Sequence, residues 1–502
     1  MVALRWALKL IGLVNTTILA RLLTPEDFGL IAMSSMVVGF IEIWFAFGVD
    51  MALIQNKAPS REDYDTAWTL RIAQGLLVGV ILLVVSPEAA VYFHEPRIIE
   101  LLWVMVFCTL LGSTNNIGVV DFRKGLNFKA EFAFNVACRL LGFIATIALA
   151  FWLRNYWAMI GGIAINSLLS WLLSYVMHPF RPRLSLTRIA SLWNFSKWML
   201  VANTGIYINM RLDEFVAARL GSSANFGIYN VSSELGQLPT NELSIPVSRV
   251  LVPVLSKIQD EKSRVWETYL KTMAGINTLT LPAGIGMALV TPDLVPILLG
   301  EHWLGAIPYI RIFALYGTLR FVFSGIYNVF TAQGKIRAHA AMLWFEIMLV
   351  AGLCFPAGAH YGLLGIAMAR LAVSGLIALV ILVLLYVYGK ITPFAFFGKL
   401  LRPGLASLCM AMSLWLIPHL VTNESLTNLP LREILEILRI LQQPPPMLLE
   451  THALNFAALV TLGTLSYTSS LLILWRFQGK PDGVESIVLS FLVKALARRN
   501  WN

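Results

Sequence analysis

Long apolar segments separated by short polar ones fill almost the entire chain. Most of them are about twenty residues long, the length that a helix needs to cross the hydrocarbon core of a bilayer. Strands of a membrane β-barrel would be shorter and would alternate apolar with polar positions, a pattern that the chain lacks. The segments predict an all-α polytopic membrane protein with fourteen spanning helices, near residues 8–23, 28–48, 67–87, 99–119, 132–153, 157–177, 197–219, 226–247, 268–290, 305–330, 338–357, 362–388, 401–420 and 453–475.

Charge is scarce along the whole length of the chain. Of the 502 residues, 58% are hydrophobic and 13% are charged, whereas soluble domains carry about 25% charged residues. Because the depletion is not confined to one segment, a soluble domain with a single membrane anchor is excluded. The four cysteines fall inside predicted spans, so we expect packing residues there and neither a disulfide framework nor a metal site.

The positive charges are concentrated on one side of the predicted membrane. The formal net charge of +10 could point to nucleic-acid binding. With the N-terminus placed in the cytoplasm, however, 26 of the 38 Lys and Arg residues fall in inner segments, six in outer segments and six inside spans. This is the bias that the positive-inside rule describes. The excess charge therefore reflects topology and not nucleic-acid binding, and both termini are predicted to be cytoplasmic.

Two polar junctions along the chain resemble each other. The segment "ARLLTPEDFGLIAMSS" (20–35) aligns without gaps to "ARLGSSANFGIYNVSS" (218–233), at an offset of 198 residues and with seven of sixteen positions identical. Chance similarity between two apolar segments is the alternative. A repeat that starts at spans one and seven predicts two parallel six-helix lobes. Gly29 and Gly227 are then expected to lie where helices pack closely at the outer turn.

This repeat sets the predicted domain organisation. Residues 1–178 form an N-lobe of six spans, and residues 179–196 form a cytoplasmic linker. Residues 197–389 form a C-lobe of six spans. Residues 390–502 hold spans thirteen and fourteen, an outer loop at 421–452 and a cytoplasmic tail.

Several motifs resemble those of a known family: "ARLLTPEDFGLIAM", "ALIQNKAPSREDYDTAW", "FRKGLNFKAE", "LGQLPTNELSIPVSRVLVPVLSKIQDEKSR" and "LLGEHWLGAIPYIRIFALYG". Together they resemble the polysaccharide transporter family of the multidrug/oligosaccharidyl-lipid/polysaccharide superfamily, in particular its Wzx-type lipopolysaccharide and exopolysaccharide exporters. The resemblance implies a flippase of the bacterial inner membrane that moves undecaprenyl-diphosphate-linked oligosaccharides between leaflets by alternating access. Membrane lipid, a polysaccharide polymerase and other assembly proteins are the implied partners.

Arginines inside the spans are the candidates for binding the implied diphosphate, because a guanidinium contacts phosphate in a bidentate way. Arg71 is set aside because it lies close to an inner span end, and Arg211 because Glu214 is its expected partner. The candidate cavity cations are Arg139, Arg320 and Arg370. The alternative is that they pair with an intramembrane carboxylate, namely Glu42, Glu234 or Glu346.

Two polar stripes at helical spacing predict cavity walls, since each falls within about 80° of one helix face. The stripes are Asn203, Tyr207, Arg211 and Glu214 in span seven, and Glu234, Gln237 and Asn241 in span eight. Hydrogen bonds between helices are the alternative for the stripe in span seven. Arg211 and Glu214 are three residues apart and are expected to form an ion pair.

Glu42 and Glu346 are isolated carboxylates within spans and are the candidate coupling groups. Burial raises the pKa of a carboxyl group, so either could bind a proton or a monovalent cation. A neutral, hydrogen-bonded packing residue is the alternative for each. The chain has no Walker motif, no dinucleotide-binding glycine motif and no HExxH. We therefore predict that the protein is not an enzyme and needs no cofactor. Without an ATP site, transport must draw on an ion gradient, the membrane potential or the substrate gradient.

Two other functions remain as alternatives. An ion-coupled multidrug exporter of the same superfamily would share the twelve-span core, and it would favour an apolar, acidic cavity over a basic one. A membrane polymerase or ligase would need a sizeable outer loop to hold catalytic residues. The longest outer segment, residues 421–452, is short for that purpose.

Overall fold

The computed structural model describes residues 2–45, 48–56, 58–125, 127–187, 189–421 and 449–479. Within these ranges all regular elements are helices. They are α1 (Val2–Leu22), α2 (Pro25–Trp44), α3 (Val49–Gln55), α4 (Arg61–Phe93), α5 (Ile98–Ser113), α6 (Val120–Lys124), α7 (Phe128–Leu153), α8 (Tyr156–Met177), α9 (Ile189–Leu220), α10 (Ser223–Lys257), α11 (Lys262–Leu298), α12 (Ile307–Ala332), α13 (Ile336–Gly389), α14 (Pro393–Val421) and α15 (Leu449–Phe477), with 3-10 turns at Ile117–Val119 and Glu301–Ala306.

All fourteen predicted spans overlap one of these helices. The spans at 338–357 and 362–388 both fall on α13, which breaks at Gly362, where φ is 63° and ψ is −156°. In the described part of the chain, nine helices are long and apolar enough to cross a membrane, and a bent pair at Ile98–Ser113 and Ile117–Lys124 would make ten. The prediction of an all-α polytopic membrane protein is confirmed, and the number fourteen stays a prediction.

The helices form two compact units. The first is Met1–Asn230 with Leu298–His302, and the second is Val231–Ile297 with Trp303–Asn502. The predicted lobes, with their linker at 179–196, remain a prediction. Most of the outer loop predicted at 421–452 and the tail beyond residue 479 lie outside the described residues.

The two copies of the repeat meet within the first unit. A Cβ atom added to Gly29 would lie 1.8 Å from the carbonyl oxygen of Ser223, and one added to Gly227 would lie 1.8 Å from that of Pro25. Pro25 and Ser223 are equivalent positions at the offset of 198. The first turns of α2 and α10 therefore cross through a reciprocal contact, which is what a local twofold relation between parallel repeats produces. Both positions require glycine because backbone approaches backbone there.

Polar contacts hold this crossing in place. Thr24 caps α2 through a capping box with Asp27, and Pro25 occupies the first turn. Arg97, in the turn between α4 and α5, contacts Glu26 at 2.6 Å and Glu95 at 3.0 Å. Since these side chains are partly exposed, each ion pair contributes less than about 1 kcal/mol. Their effect is to fix the position of the α2 N-terminus.

The chain that follows α8 is anchored to the first unit by buried hydrogen bonds. Asn116 is 1% exposed, and its Nδ2 donates to the carbonyl oxygens of His178 (3.2 Å) and Phe180 (2.8 Å). Further along, the amide of Arg183 donates to Asp65 at 2.8 Å. Burial lowers the pKa of His178, so its ring is neutral at pH 7 and Nδ1 accepts the Phe180 amide. The first part of the predicted linker is thus held against α4 and against the turn after α5.

We expect Asn116→Ala to loosen this anchored segment. Two buried carbonyl groups would lose their donor, at a cost of about 1–3 kcal/mol. Thermal unfolding in detergent should occur at a lower temperature, and trypsin should cut after Arg183 faster than in the wild type. Asn155→Ala, which removes one capping bond to the amide of Trp157, is the matched control. Equal cleavage rates in the wild type and Asn116→Ala would contradict the anchoring role.

Candidate functional site

A polar cavity of about 650 Å³ lies among helices of the first unit. Its walls come from α2, α4, α5, α8 and α9, and from the turn after α5. Its polar lining residues are Ser35, Glu42, Arg71, Gln74, Thr109, Ser113, Asn115, Ser167 and Tyr207. Hydroxyl and amide groups at this density are costly within a bilayer unless they face water or a polar ligand. The cavity, named here the polar cavity, is the strongest candidate site in the described part of the chain.

Glu42 is the carboxylate of the polar cavity. It lies in the last turn of α2 and is exposed to the cavity. Its Oε1 accepts a hydrogen bond of 3.3 Å from Thr109 on α5. A carboxylate that faces a cavity can exchange a proton or a cation with it, which a fully buried one cannot do. The structure thus exposes the Glu42 carboxylate to the polar cavity, and its coupling role stays a prediction.

Arg71 is the cation of the polar cavity, and sequence reasoning missed it. Its Nη1 lies 3.8 Å from Asp50 Oδ1, and its side chain is 28% exposed. Arg71 was set aside because it lies close to a span end, and a linear map of hydropathy does not show that this end faces a cavity. The sequence does contain one signal for this position. Arg71 and Gln74 are three residues apart and share a helix face, which indicates a polar wall.

The polar cavity shares two lining residues with a second, smaller cavity. Arg71 and Asn115 also line a cavity of about 250 Å³ formed by α3, α6, α7 and α8. There Arg123 donates to Glu131 at 2.9 Å, and the side chain of Glu131 is 8% exposed. Residues of both charge signs therefore continue from the polar cavity into this second cavity, toward the N-terminal end of α7.

The stripe predicted in span seven is partly at the polar cavity. Tyr207 lines it and donates a hydrogen bond of 2.9 Å to the carbonyl of Met36. The predicted ion pair of Arg211 with Glu214 is present, at 2.5 Å. The side chain of Asn203 lies outside the described residues.

The stripe predicted in span eight falls in the second unit. Glu234 and Asn241 are exposed on α10. Gln237 donates to the hydroxyl of Ser233 at 2.9 Å, one turn earlier in the same helix. Because this hydrogen bond stays within one helix, Gln237 supports the predicted cavity wall less than the exposed Glu234 and Asn241 do.

Arg139 lies in a separate cavity of the first unit. This cavity of about 330 Å³ is formed by α1, α7 and α8 and is lined by Arg139, Asn15, Thr146 and Asn166, among others. The side chain of Arg139 is exposed. The structure therefore provides a polar environment for Arg139 in the first unit, whereas the other two predicted cations belong to the second unit.

Arg320 and Arg370 meet in the second unit. Their guanidinium carbons lie 6.0 and 5.3 Å from the ring centre of Tyr316. Glu346 is 7% exposed, Arg370 is 2% exposed, and Arg320 interacts electrostatically with both. The two predicted cations and one predicted coupling carboxylate thus form a single buried cluster on α12 and α13. We call it the arginine cluster.

The arginine cluster fits the alternative that was left open for the cations. A buried charge is stable only when it is paired and hydrogen-bonded, and removing one partner of a buried pair is strongly destabilising. Glu346 supplies an opposite charge that interacts with Arg320. Of the two candidate coupling carboxylates, Glu346 is therefore buried beside arginines, and Glu42 is exposed to the polar cavity. The coupling role of each stays a prediction.

Residues 18–308 match the family described as polysaccharide biosynthesis protein, and this match spans more than half of the chain. The chain belongs to this family. As a polysaccharide biosynthesis protein it is similar to the lipopolysaccharide biosynthesis protein WzxC of Escherichia coli (strain K12), with 25% identity over 368 residues that cover 72% of this chain and 75% of that one. The predicted family membership is confirmed.

Two solved structures share the fold of this polysaccharide biosynthesis protein. The lipid II flippase MurJ in an inward closed conformation matches with a TM-score of 0.70 and 15% identity, covering 95% of this chain and 100% of that one. An inward-facing multidrug resistance transporter of the MATE family matches with a TM-score of 0.58 and 16% identity, covering 79% and 95%. At these identities the likeness concerns the fold alone. It does not by itself separate a flippase from a drug exporter.

Proposed function

We propose that the protein is a flippase that moves undecaprenyl-diphosphate-linked oligosaccharides across the bacterial inner membrane by alternating access. It serves lipopolysaccharide or exopolysaccharide synthesis, with both termini in the cytoplasm. The family match, the relative named for lipopolysaccharide biosynthesis and the fold of a lipid II flippase support this function. The observation that carries it is the polar cavity, because it offers a guanidinium and many hydrogen-bonding groups within a membrane-embedded helix bundle.

In this proposal Arg71 contacts the diphosphate. The guanidinium presents several donors in a planar fork that matches phosphate oxygens. Its partner Asp50 is 3.8 Å away, beyond hydrogen-bond distance, so a phosphate could compete for Arg71 with little loss. Gln74 and Asn115 add neutral donors beside it. Such groups bind a headgroup and still allow its release, which transport requires.

Three other arginines remain proposed substrate cations, and they lie at different places in the structure: Arg139, Arg320 and Arg370. Arg139 has its own cavity, where Asn15 and Asn166 could bind sugar hydroxyls. Arg320 and Arg370 are held with Glu346, so they would contribute positive potential from a fixed position. Among the four arginines, Arg71 has the cavity with the largest number of polar lining groups.

The alternative is an ion-coupled multidrug exporter. The fold likeness to a MATE transporter is compatible with it. A binding site for cationic drugs would be apolar and acidic, whereas the polar cavity contains Arg71 and many hydroxyl and amide groups. Together with the family match, this favours a phosphate-bearing, sugar-bearing substrate.

The proposed function is tested in proteoliposomes that contain a fluorescent undecaprenyl-diphosphate oligosaccharide. A membrane-impermeant reagent that modifies the label measures how much lipid has reached the outer leaflet. We expect protein-dependent exchange between leaflets, and no accumulation of a cationic dye in the same vesicles. Dye transport without lipid exchange would instead establish the exporter.

We expect Glu42→Gln to uncouple lipid exchange from the ion gradient. The amide resembles a permanently protonated carboxyl group, so the residue can no longer take up or release a proton or bind a monovalent cation. The rate with a gradient should fall to the rate without one, while the basal rate is kept. Glu346→Gln is the comparison, since Glu346 is a buried counter-ion and its loss should lower stability instead. A gradient response that persists in Glu42→Gln would exclude Glu42 as the coupling group.

A further inference from the structure

A large apolar groove of about 1,010 Å³ lies on the first unit among α2, α4 and α9, and its lining residues differ from those of the polar cavity. Phe40 and Trp44 on α2 and Phe215 on α9 form aromatic walls, and the Trp44 side chain is 51% exposed. A groove of this size lined by apolar side chains accepts a chain of matching chemistry.

The length of the groove matches one leaflet of a bilayer. Its lining runs from Ile81 to Phe93 on α4 and from Ile208 to Arg219 on α9. At 1.5 Å per residue these stretches are about 17–18 Å long. Half of the hydrocarbon core is about 15 Å thick. Both stretches reach the ends of their helices, and the positive-inside prediction makes this the outer leaflet.

A cation lies at the outer end of the groove, and an anion lies further in along α4. The guanidinium of Arg219 lies 5.4 Å from the ring centre of Tyr92, and its Nη1 is 2.6 and 2.8 Å from the ring nitrogens of His94. Glu88 lines the groove one helical turn before Tyr92 and is exposed. The outer part of the groove therefore presents one cation and one anion.

We propose that the groove binds one zwitterionic phospholipid of the outer leaflet, with a phosphate and a primary ammonium in its headgroup. The acyl chains fill the aromatic groove, Arg219 contacts the phosphate, and Glu88 contacts the ammonium group. A polyprenyl diphosphate, with two or more negative charges, is disfavoured because Glu88 would repel it. The site is separate from the polar cavity, so this proposal does not depend on the transported substrate.

The test uses delipidated wild-type protein in detergent, with phosphatidylethanolamine and phosphatidylglycerol of identical acyl chains as competing probes. Native mass spectrometry counts the lipids retained. We expect one tightly held phosphatidylethanolamine, preferred over phosphatidylglycerol by about fivefold, which is the effect of one charge contact at a membrane surface. Arg219→Gln should lower retention of both lipids by at least about fivefold.

Two further variants separate the charges from the groove. Glu88→Gln removes the anion of the groove, so the preference should reverse toward phosphatidylglycerol. Val85→Trp fills the groove and should abolish retention of both lipids while the charges stay in place. Arg154→Gln, at the turn between α7 and α8, is the matched control and should bind like the wild type.

Three outcomes would overturn the proposal. One is that Arg219→Gln retains each of the two lipids as well as the wild type does. Another is an unchanged lipid preference in Glu88→Gln. The third is displacement of the bound phospholipid by undecaprenyl diphosphate at equal concentration, which would make the groove a site for the polyprenyl lipid instead. Lipid exchange in proteoliposomes is a separate readout, so failure here does not affect the proposed function.

Discussion

Arg71→Gln should reduce lipid exchange by about a hundredfold while the protein remains folded in the membrane. Loss of one charged partner from a desolvated contact typically costs 2–5 kcal/mol, and about 3 kcal/mol corresponds to a hundredfold change in binding. The expected effect on stability is small, because the contact of Arg71 with Asp50 is long and both side chains are partly exposed. The initial rate of leaflet exchange in proteoliposomes measures the effect.

Two variants make this result specific to the guanidinium of Arg71. Arg71→Lys keeps the charge but loses the planar fork, so it should recover part of the rate at most. Arg154→Gln removes an exposed arginine outside the polar cavity and should exchange lipid at the wild-type rate. If Arg71→Gln exchanged lipid normally, or lost exchange only in proportion to its folded fraction, the proposed contact with the diphosphate would be wrong.

Gly29→Ala and Gly227→Ala should each reduce transport about tenfold or more and lower the free energy of unfolding by about 1–3 kcal/mol. Each added methyl group would lie 1.8 Å from a backbone carbonyl oxygen of the other helix, which no rotamer change can relieve. The first turns of α2 and α10 must therefore move apart. Exchange rates in proteoliposomes and thermal unfolding in detergent measure the two effects.

The reciprocal geometry makes a sharper prediction for the double variant. Once one methyl group has separated α2 from α10, the second should add little, so Gly29→Ala with Gly227→Ala should cost less than the sum of the single changes. Gly375→Ala, in α13, is the matched control because a Cβ atom there meets nothing within 4 Å. Additive losses, or equal losses in Gly375→Ala, would show that the crossing of the two repeats is not a tight contact.

The membrane-spanning character and the close helix packing at Gly29 and Gly227 could both be predicted from the sequence. A helix that crosses a bilayer must be apolar over its full length, so hydropathy alone placed all fourteen segments on helices. Gly29 and Gly227 stood out because the same spacing of Phe and Gly occurs twice in polar junctions. That the two glycines meet each other was not predicted, and only the structure shows this contact.

The composition of the polar cavity could not be predicted in the same way. Helical periodicity shows which residues share a face, but it does not show which faces of different helices meet. Arg71, Thr109 and Tyr207 come from three helices that are far apart in the sequence. Conversely, Arg320, Arg370 and Glu346 are separate candidates in the sequence. In the structure, the packing of α12 against α13 joins them in one buried cluster.

The most direct test of the polar cavity as the headgroup site is photolabelling in native membranes. The probe is an undecaprenyl-diphosphate disaccharide with a diazirine on its first sugar, and labelled peptides are mapped by mass spectrometry. We expect label on residues 35–43 and 105–115, reduced by excess unlabelled lipid and by Arg71→Gln but not by Arg154→Gln. Label confined to residues 316–370, with none on the walls of the polar cavity, would contradict this assignment and point to the arginine cluster instead.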